Sequence, residues 1–290
     1  MERIVVGGKG AEGFAKMLAR RLHLPYQPVK ATFFPDGELK IRVPPEAKDN
    51  DVILVNSMHP DPGEVLMECL FSIGALRQMG ISRLTVVIPY LGFMRQDKAF
   101  HPGEAVSNRI VAGLLDHADR VITMDPHLHR IVSLKDIFKA RTVTLTADNI
   151  IAKHISHNHP TSIIIGPDEE SSQWAADIAK KAGVPFVILK KKRYNSEKVS
   201  IKLNETIPLK GRDVVLVDDI ISTGHTMMEP IKQLKRKGVR SITCIGVHGI
   251  FAGTALKNLK KLGAKVEATN TIANPVAVID VVETFAGALK

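Results

Sequence analysis

The sequence predicts an α/β protein of two successive domains, each a mostly parallel sheet flanked by helices. Three observations carry this. Short apolar, β-branched runs alternate along the chain with segments whose apolar residues recur near a helical period. The strand-like runs are apolar at almost every position, as strands covered on both faces are. The cadence restarts near Thr146, and 290 residues at about 150 per domain give a prior of two domains.

In order, Arg3–Val6 reads as a strand and Ala11 to Leu22 as a helix. Asp51 to Asn56 is a strand. Gly63 to Met79 is a helix, with Leu66, Leu70, Ile73 and Leu76 on one face. Arg83 to Ile88 is a strand, Glu104 to Leu115 a helix and Arg120 to Met124 a strand. The second half gives strand Ser162–Ile165, helix Glu169–Lys181, strand Val184–Leu189, strand Asp213–Val217 and a helix from Thr226 to Lys237. Strand Ser241–Val247, helix Thr254–Leu262 and strand Lys265–Thr269 follow. A boundary within Lys139–Asn149 divides the chain into domains 1–145 and 146–290.

Composition narrows the function classes. Apolar residues at 44% and charged residues at 24% are those of a globular protein and exclude a disordered tail or a coiled coil. No apolar run reaches the roughly 18 residues of a membrane span, and MERIVVGGKGAEGF reads as neither a signal nor a transit peptide. A cytoplasmic protein without a membrane partner is expected. Cys69 and Cys244 stand alone, so neither a disulfide framework nor a thiolate metal site is expected. The formal charge of +10 favours anionic partners, either nucleic acid or phosphorylated small molecules. One Trp and three Tyr make a poor stacking platform for single strands, and no helix-turn-helix or basic arm is present. Nucleic acid is therefore not the expected partner.

In open α/β sheets, ligands bind beyond the C-terminal ends of the strands, so polar clusters there are the candidates. The most informative is Val214–Met227, VVLVDDIISTGHTM. A buried strand runs into Asp218 and Asp219, then Ser222, Thr223, Gly224, His225 and Thr226 lead into a helix. Hydroxyls, backbone N–H groups and a helix N-terminus converge there into a phosphate cradle, and glycine lets the backbone approach the anion. Carboxylates repel phosphate but accept hydrogen bonds from sugar hydroxyls, so an acid pair beside a cradle suits a sugar phosphate. The alternative is that the acids cap a turn.

Five further clusters follow other strand-like runs. Asp36, Gly37 and Glu38 lie in FFPDGE, which on its own reads as a hairpin turn. Arg95 and Gln96, followed by Asp97 and Lys98, offer a guanidinium and an amide suited to a nucleotide, with a loop salt bridge as the alternative. His127 follows the strand VIT. With His129 it lacks the further ligands a zinc site needs, but one imidazole is compatible with a hydrated Mg2+. Asp168, in GPDEE, is placed for a metal or a substrate hydroxyl, and otherwise for capping a helix. Lys190, Lys191, Lys192 and Arg193 follow FVIL and lead into a polar stretch. They read either as a cationic lid over developing charge or as a basic surface run.

The stretch DDIISTGHT resembles the binding motif for phosphoribosyl diphosphate (PRPP). FPDGE, YLGFMRQDK, MDPH, the GPD turn, a Lys-x-Arg pair and DDIISTGHT in this order resemble the ribose-phosphate diphosphokinases, or PRPP synthetases, over Ile4 to about Leu262. The resemblance implies two phosphoribosyltransferase-type domains. It implies transfer of the diphosphoryl group of Mg-ATP to D-ribose 5-phosphate, giving PRPP and AMP. Carried over residue by residue, it places Asp36, Gly37, Glu38, Arg95 and Gln96 at ATP and His127 and Asp168 at Mg2+. Lys191 and Arg193 fall in catalysis, and Arg193, Asp218, Asp219 and Ser222–Thr226 at ribose 5-phosphate. It also implies a homo-oligomer, a dimer or an assembly of dimers, with the ATP site shared between subunits.

The chain departs from the family pattern in four places. His225 stands where a second glycine is usual. Ser222 replaces an acid, as in many archaeal members. Lys190 occupies a position where an acid is common, and the GPD turn continues as Glu169-Glu170-Ser171-Ser172. The competing readings are a phosphoribosyltransferase, which leaves the N-terminal clusters unexplained, and a non-catalytic relative, which retention of Lys191, Arg193, His127 and Asp168 opposes.

Overall fold

The computed structural model describes residues 2–128, 130–167, 172–193, 199–203 and 207–290, with residues 172, 189–193 and 199–203 as backbone alone. It divides into two compact units: Met1–Leu145 with Thr271–Ala273 and Val281–Lys290, and Thr146–Asn270 with Asn274–Asp280.

The first unit runs β1 (Arg3–Gly7), α1 (Glu12–Leu22), β2 (Tyr26–Pro28), β3 (Lys30–Phe33), β4 (Leu39–Arg42), β5 (Asp51–Val55), α2 (Pro62–Gln78), β6 (Arg83–Ile88), α3 (Ser107–Leu115), β7 (Arg120–Met124) and β8 (Arg141–Leu145). Its sheet has the order β2-β1-β5-β6-β7-β8 and every pairing in it is parallel. The apolar runs are its centre: Val5, Val6, Val52–Val55, Leu84 and Val86–Ile88 are buried. Strands β3 and β4 form a separate antiparallel hairpin, Phe33 opposite Leu39.

The second unit runs α4 (Asp148–Asn158), β9 (Ile163–Gly166), α5 (Ser172–Ala182), β10 (Phe186–Arg193), β11 (Val199–Leu203), β12 (Asp213–Ile221), α6 (His225–Arg236), β13 (Ser241–Gly249), α7 (Ala255–Lys261), β14 (Lys265–Thr269) and β15 (Ala277–Ile279). The sheet order is β11-β10-β9-β12-β13-β14-β15, parallel except for the β10–β11 pair. Ile231 and Leu234 of α6 and Leu259 of α7 close one sheet face over Val214, Leu216, Cys244 and Val266.

Helix α8 (Val282–Leu289) returns to the first unit, so a single boundary, with everything after Thr146 in the second domain, does not describe the chain. The reason is packing: Phe285 is fully buried and meets Phe14 of α1 edge-on, ring centroids 5.2 Å apart. Burying a phenyl ring contributes roughly 1.5–3 kcal/mol, and the edge-to-face pair adds about 0.5–1.5 kcal/mol. The paired charges Arg21 and Glu283 flank it on the surface, where an ion pair contributes little.

Two elements differ from their sequence reading in ways that touch the site. Strand β10 does not stop at Leu189 but continues through Lys190–Arg193, pairing antiparallel with β11, Lys191 opposite Ile201 and Arg193 opposite Val199. The hairpin ladder satisfies those main-chain groups of the cationic run that face β11. Helix α3 begins at Ser107 rather than Glu104, because the Glu104 carboxylate is used in the preceding loop, where it accepts the Phe100 N–H at 2.7 Å.

Candidate active site

Each unit has one topological switch point, where successive strands leave a central pair in opposite directions. In the first unit it lies between β1 and β5, and the unit's own side chains fill it. The Lys9 N–H donates to Glu68 Oε1 at 2.9 Å, Asn56 Nδ2 lies 3.3 Å from the same oxygen, and Ser57 N–H donates to Asn56 Oδ1. A Cβ on Gly8 would come within 2.4 Å of both Asn56 and Glu68. Burial raises the Glu68 carboxyl above its usual range, against the lowering effect of those donors. Asn56, Glu68 and the Gly8–Lys9 backbone thus form a hydrogen-bonded polar plug at this crevice.

In the second unit the switch point lies between β9 and β12, and here the strand ends carry the candidate residues. β12 extends past the apolar run to Ile221, because its parallel pairing with β13 persists to Ile221 opposite Gly249. Asp218 and Asp219 are thereby held at the end of a strand. Asp218 is buried and accepts the Asp219 N–H at 3.1 Å, and Asp219 is half-buried and accepts the Ile220 N–H at 2.7 Å. The carboxylates are thus aimed by the main chain that carries them. The following turn is braced from β13: Phe251 N–H donates to Ile221 O at 3.0 Å and Ala252 N–H to Ser222 O at 3.1 Å.

Gly224, at φ +76, is the cap of α6. Met227 and Met228 both donate to its carbonyl, at 3.0 and 2.9 Å. The N–H groups of His225 and Thr226 come earlier still and have no carbonyl one turn back to use. Main-chain N–H groups left over at a helix start are the donors that suit an anion. His225 does not intrude on the backbone: its ring is exposed and Nδ1 lies 3.1 Å from Thr223 Oγ1. Within the second unit the structure therefore brings together Asp218, Asp219, Ser222, Thr223, Gly224, His225 and Thr226.

Asp168, beyond the neighbouring end of β9, lies outside the described residues, as does His129. Lys191 and Arg193 are placed on the β10 backbone, and their side chains lie outside the described residues.

In the first unit, Arg95 and Gln96 occupy the loop after β6, and His127 the loop after the adjacent β7. An ion pair joins the two loops: Arg130 Nη1 donates to Asp97 Oδ1 at 2.8 Å and the Arg130 N–H to Oδ2 at 3.0 Å. Desolvation of the Asp97 carboxyl is outweighed by these Arg130 bonds, which hold it below the usual range. Arg130 had no sequence signal, since it lies 33 residues from its partner. Gln96 is fixed through Ser107, whose hydroxyl donates to Gln96 Oε1 at 3.3 Å, whereas Arg95 is exposed.

Asp36, Gly37 and Glu38 form the tip of the β3–β4 hairpin, with Gly37 at φ +93 and the Glu38 N–H donating to Asp36 Oδ1 at 3.2 Å. Phe33 and Phe34 beside them are 52% and 45% exposed. The hairpin is its own two-stranded sheet, distinct from the loops after β6 and β7. As a test of fit for magnesium within the second unit, Asp218 and Asp219 carry carboxylate oxygens at the end of β12, the donor type that ion takes; half-buried His127 stands in the first unit. An ion that keeps several waters and takes few protein ligands is compatible with such sparse donors.

Two α/β units, with a strand-to-helix turn carrying two acids and a run of small polar residues at the switch point of the second, are the arrangement of the phosphoribosyltransferase class. The comparisons agree and are more specific. Residues 3–118 match the N-terminal domain of ribose phosphate pyrophosphokinase, and residues 133–281 the phosphoribosyl transferase domain. The ribose-phosphate pyrophosphokinase of Methanopyrus kandleri is 34% identical over 291 residues, 99% of this chain and 98% of that one. That of Methanothermobacter thermautotrophicus is 34% identical over 290 residues, 99% and 100% of the two chains. The crystal structure of phosphoribosylpyrophosphate synthetase from Mycobacterium smegmatis superimposes with a TM-score of 0.87 at 25% identity, covering 100% of this chain and 98% of that one. The chain belongs to the ribose-phosphate pyrophosphokinase family. Among the described residues, no helix is long and apolar enough to cross a membrane.

Proposed function

We propose that the chain transfers the diphosphoryl group of Mg-ATP to the anomeric hydroxyl of D-ribose 5-phosphate through the residues named below, acting in the cytoplasm in precursor supply for nucleotide synthesis. The products are PRPP and AMP, the activity of the family. The observation that carries the reading is the β12–α6 turn: a carboxylate pair for sugar hydroxyls next to an open helix start for phosphate, at the switch point of the second unit.

The chemistry is a substitution at the β-phosphorus. The sugar's anomeric oxygen forms a bond to it, the bond to the bridging α,β-oxygen breaks, AMP leaves, and the hydroxyl proton is released. Little covalent work falls to the protein, so catalysis rests on alignment and on stabilising charge. Ser222, Thr223, Gly224, His225 and Thr226 hold the 5-phosphate, while Asp218 and Asp219 accept the ribose hydroxyls. Arg95 and Gln96 orient the nucleotide, and Asp36, Gly37 and Glu38 reach ATP bound to a neighbouring subunit of a homo-oligomer. Lys191 and Arg193 offset the charge on the diphosphoryl group in flight, and Arg193 also contacts ribose 5-phosphate. Bound through His127 and Asp168, Mg2+ would neutralise phosphate oxygens. Residues 1–145 thus carry the ATP-site elements, and the half from Thr146 onward carries the catalytic pair and the ribose 5-phosphate turn.

The test is a joint readout of AMP and PRPP from ATP, Mg2+ and ribose 5-phosphate, with Lys191→Ala alongside. Equal amounts of both products are expected, with the variant slower by about a hundredfold or more, roughly 3 kcal/mol of barrier. An unchanged rate in the variant removes the catalytic role of Lys191. Absence of both products with the wild-type chain removes the reading.

A further inference from the structure

Away from the proposed active site, three potential metal ligands converge in the second unit. His154 lies on α4, His159 just after it and Glu267 on β14, with one ligand atom of each within 4.8 Å of the others. His154 Nε2 lies 2.7 Å and His159 Nε2 3.3 Å from the same oxygen, Glu267 Oε2. The fold builds this arrangement. Val266 and Ala268 turn into the core beneath α6 and α7, so strand alternation turns Glu267 to the opposite face. α4 ends at Asn158, where His159 leaves the helical path at φ −136 and ψ 45. Ser162 fixes that exit by donating both its N–H, at 3.1 Å, and its hydroxyl, at 2.7 Å, to the His159 carbonyl. His159 and Asp213 precede or begin β9 and β12, the opposite strand ends from Asp218 and the phosphate turn.

We propose that His154, His159 and Glu267 form a binding site for a transition-metal dication of the zinc class, separate from the magnesium and substrate sites. Two imidazoles and a carboxylate are a zinc-type donor set, whereas magnesium takes oxygen ligands. Bonds of about 2.0–2.1 Å in a tetrahedron put ligand atoms roughly 3.3 Å apart. The His159–Glu267 separation already has that value. The His154–Glu267 contact must open by about 0.6 Å, a side-chain adjustment. The side chains of His154 and His159 are 17% and 14% exposed and that of Glu267 is 4% exposed. The carboxylate is therefore anchored while the imidazole side admits an ion and a completing water.

Asn158 borders the site: its Nδ2 lies 3.2 Å from His154 Nδ1 and donates to the His154 carbonyl at 3.0 Å, an arrangement that favours the proton on Nε2 and must change when a metal binds. A metal-bound Nε2 requires the proton on Nδ1, so the Asn158 amide must give up both bonds and turn its oxygen to Nδ1–H. The neighbouring charges are Lys265, whose Nζ lies 2.5 Å from the other oxygen, Glu267 Oε1, and Asp213, which is paired with Arg240. Lys265 is the adverse one, but its side chain is 65% exposed and can turn to water. Burial raises the Glu267 carboxyl, yet the bonds from His154, His159 and Lys265 outweigh it and keep the group ionised well below its usual range.

The experiment is a titration of the metal-free full-length chain with Co2+, then Zn2+, without substrates. The expected result is visible absorption of the intensity of a four- or five-coordinate Co2+ site, complete at one equivalent and bleached by Zn2+. His154→Ala and His159→Ala should weaken it roughly tenfold or more. Glu267→Gln, which keeps the side chain's shape and a hydrogen-bonding group, should do the same with an unchanged circular dichroism spectrum. The proposal is overturned if Co2+ keeps the pale spectrum of the hexahydrated ion. It is equally overturned if the wild type and all three variants take up the ion alike, because the ion then sits elsewhere.

Discussion

Replacing Gly224 by alanine probes the turn on which the functional reading rests. At φ +76 the backbone is left-handed, which costs an L-residue about 1–2 kcal/mol. A Cβ built there would lie 3.5 Å from Leu259 Cδ1 and Cγ and 3.7 Å from Ala255 Cβ, ordinary contacts that add no steric cost. The expected loss of stability is therefore the backbone term alone, about 1–2 kcal/mol, readable from urea unfolding. Relief of the strain would shift the start of α6, where the 5-phosphate is proposed to bind. KM for ribose 5-phosphate should then rise by about tenfold, the equivalent of about 1.4 kcal/mol, with KM for ATP little changed. Gly238→Ala is the control. Its φ is +73 and its Cβ would meet only Lys210 Cγ, at 3.5 Å, at the far end of α6. It should lose the same stability and leave KM for ribose 5-phosphate alone. The reasoning is refuted if both variants change KM equally, or if Gly224→Ala loses stability while binding ribose 5-phosphate as the wild type does.

Other consequences concern the scaffold. Phe285→Ala should cost about 3–5 kcal/mol in unfolding free energy, because the ring is fully buried against Phe14; a loss below about 1 kcal/mol would show that α8 does not dock on α1. The hydrogen bonds from Arg240 and Ser241 bring the Asp213 carboxyl down to about 2 from an ordinary 3.8. A depressed carboxyl stabilises the fold fully above its unfolded value and loses that contribution as pH falls through the folded one. Between pH 4 and about pH 2 the stability of Arg240→Ala should accordingly fall less steeply than that of the wild type, as acid titration followed by circular dichroism would show. Identical slopes would mean that the pair is not formed in solution. The Arg240 side chain is 64% exposed, so added salt should narrow the difference.

The central strands were legible in the sequence because burial on both faces leaves little but valine, isoleucine and leucine, as in RIVVG, DVILV and RLTVVI. The elements that were missed lack that signal. β2 is three half-buried residues, YQP, and β8, RTVTL, lies at a sheet edge with Thr144 exposed. α4, DNIIAKHISHN, buries only Ile151, Ala152 and Ile155, and its histidines hide its periodicity. α8 takes its place from a partner almost the whole chain away, which no local pattern encodes.

The site was legible in proportion to its locality. Asp218 through Thr226 are contiguous, from the end of β12 into the start of α6, so their arrangement could be read from neighbours in sequence. The Asp97–Arg130 bond and the plug of Asn56 and Glu68 against the Gly8 backbone join distant segments and could not. FFPDGE shows the limit of motif reading. The backbone is the hairpin that Asp-Gly dictates, and its proposed role at ATP rests on the family resemblance.

The most direct test of the central claim follows the phosphorus itself. ATP labelled at the β-phosphorus is incubated with Mg2+, ribose 5-phosphate and the chain, and the products are separated. Diphosphoryl transfer predicts that the label appears in PRPP, in step with unlabelled AMP. Label retained in ADP would mean transfer of the γ-phosphoryl group alone, and label in free diphosphate would mean hydrolysis; either contradicts the account.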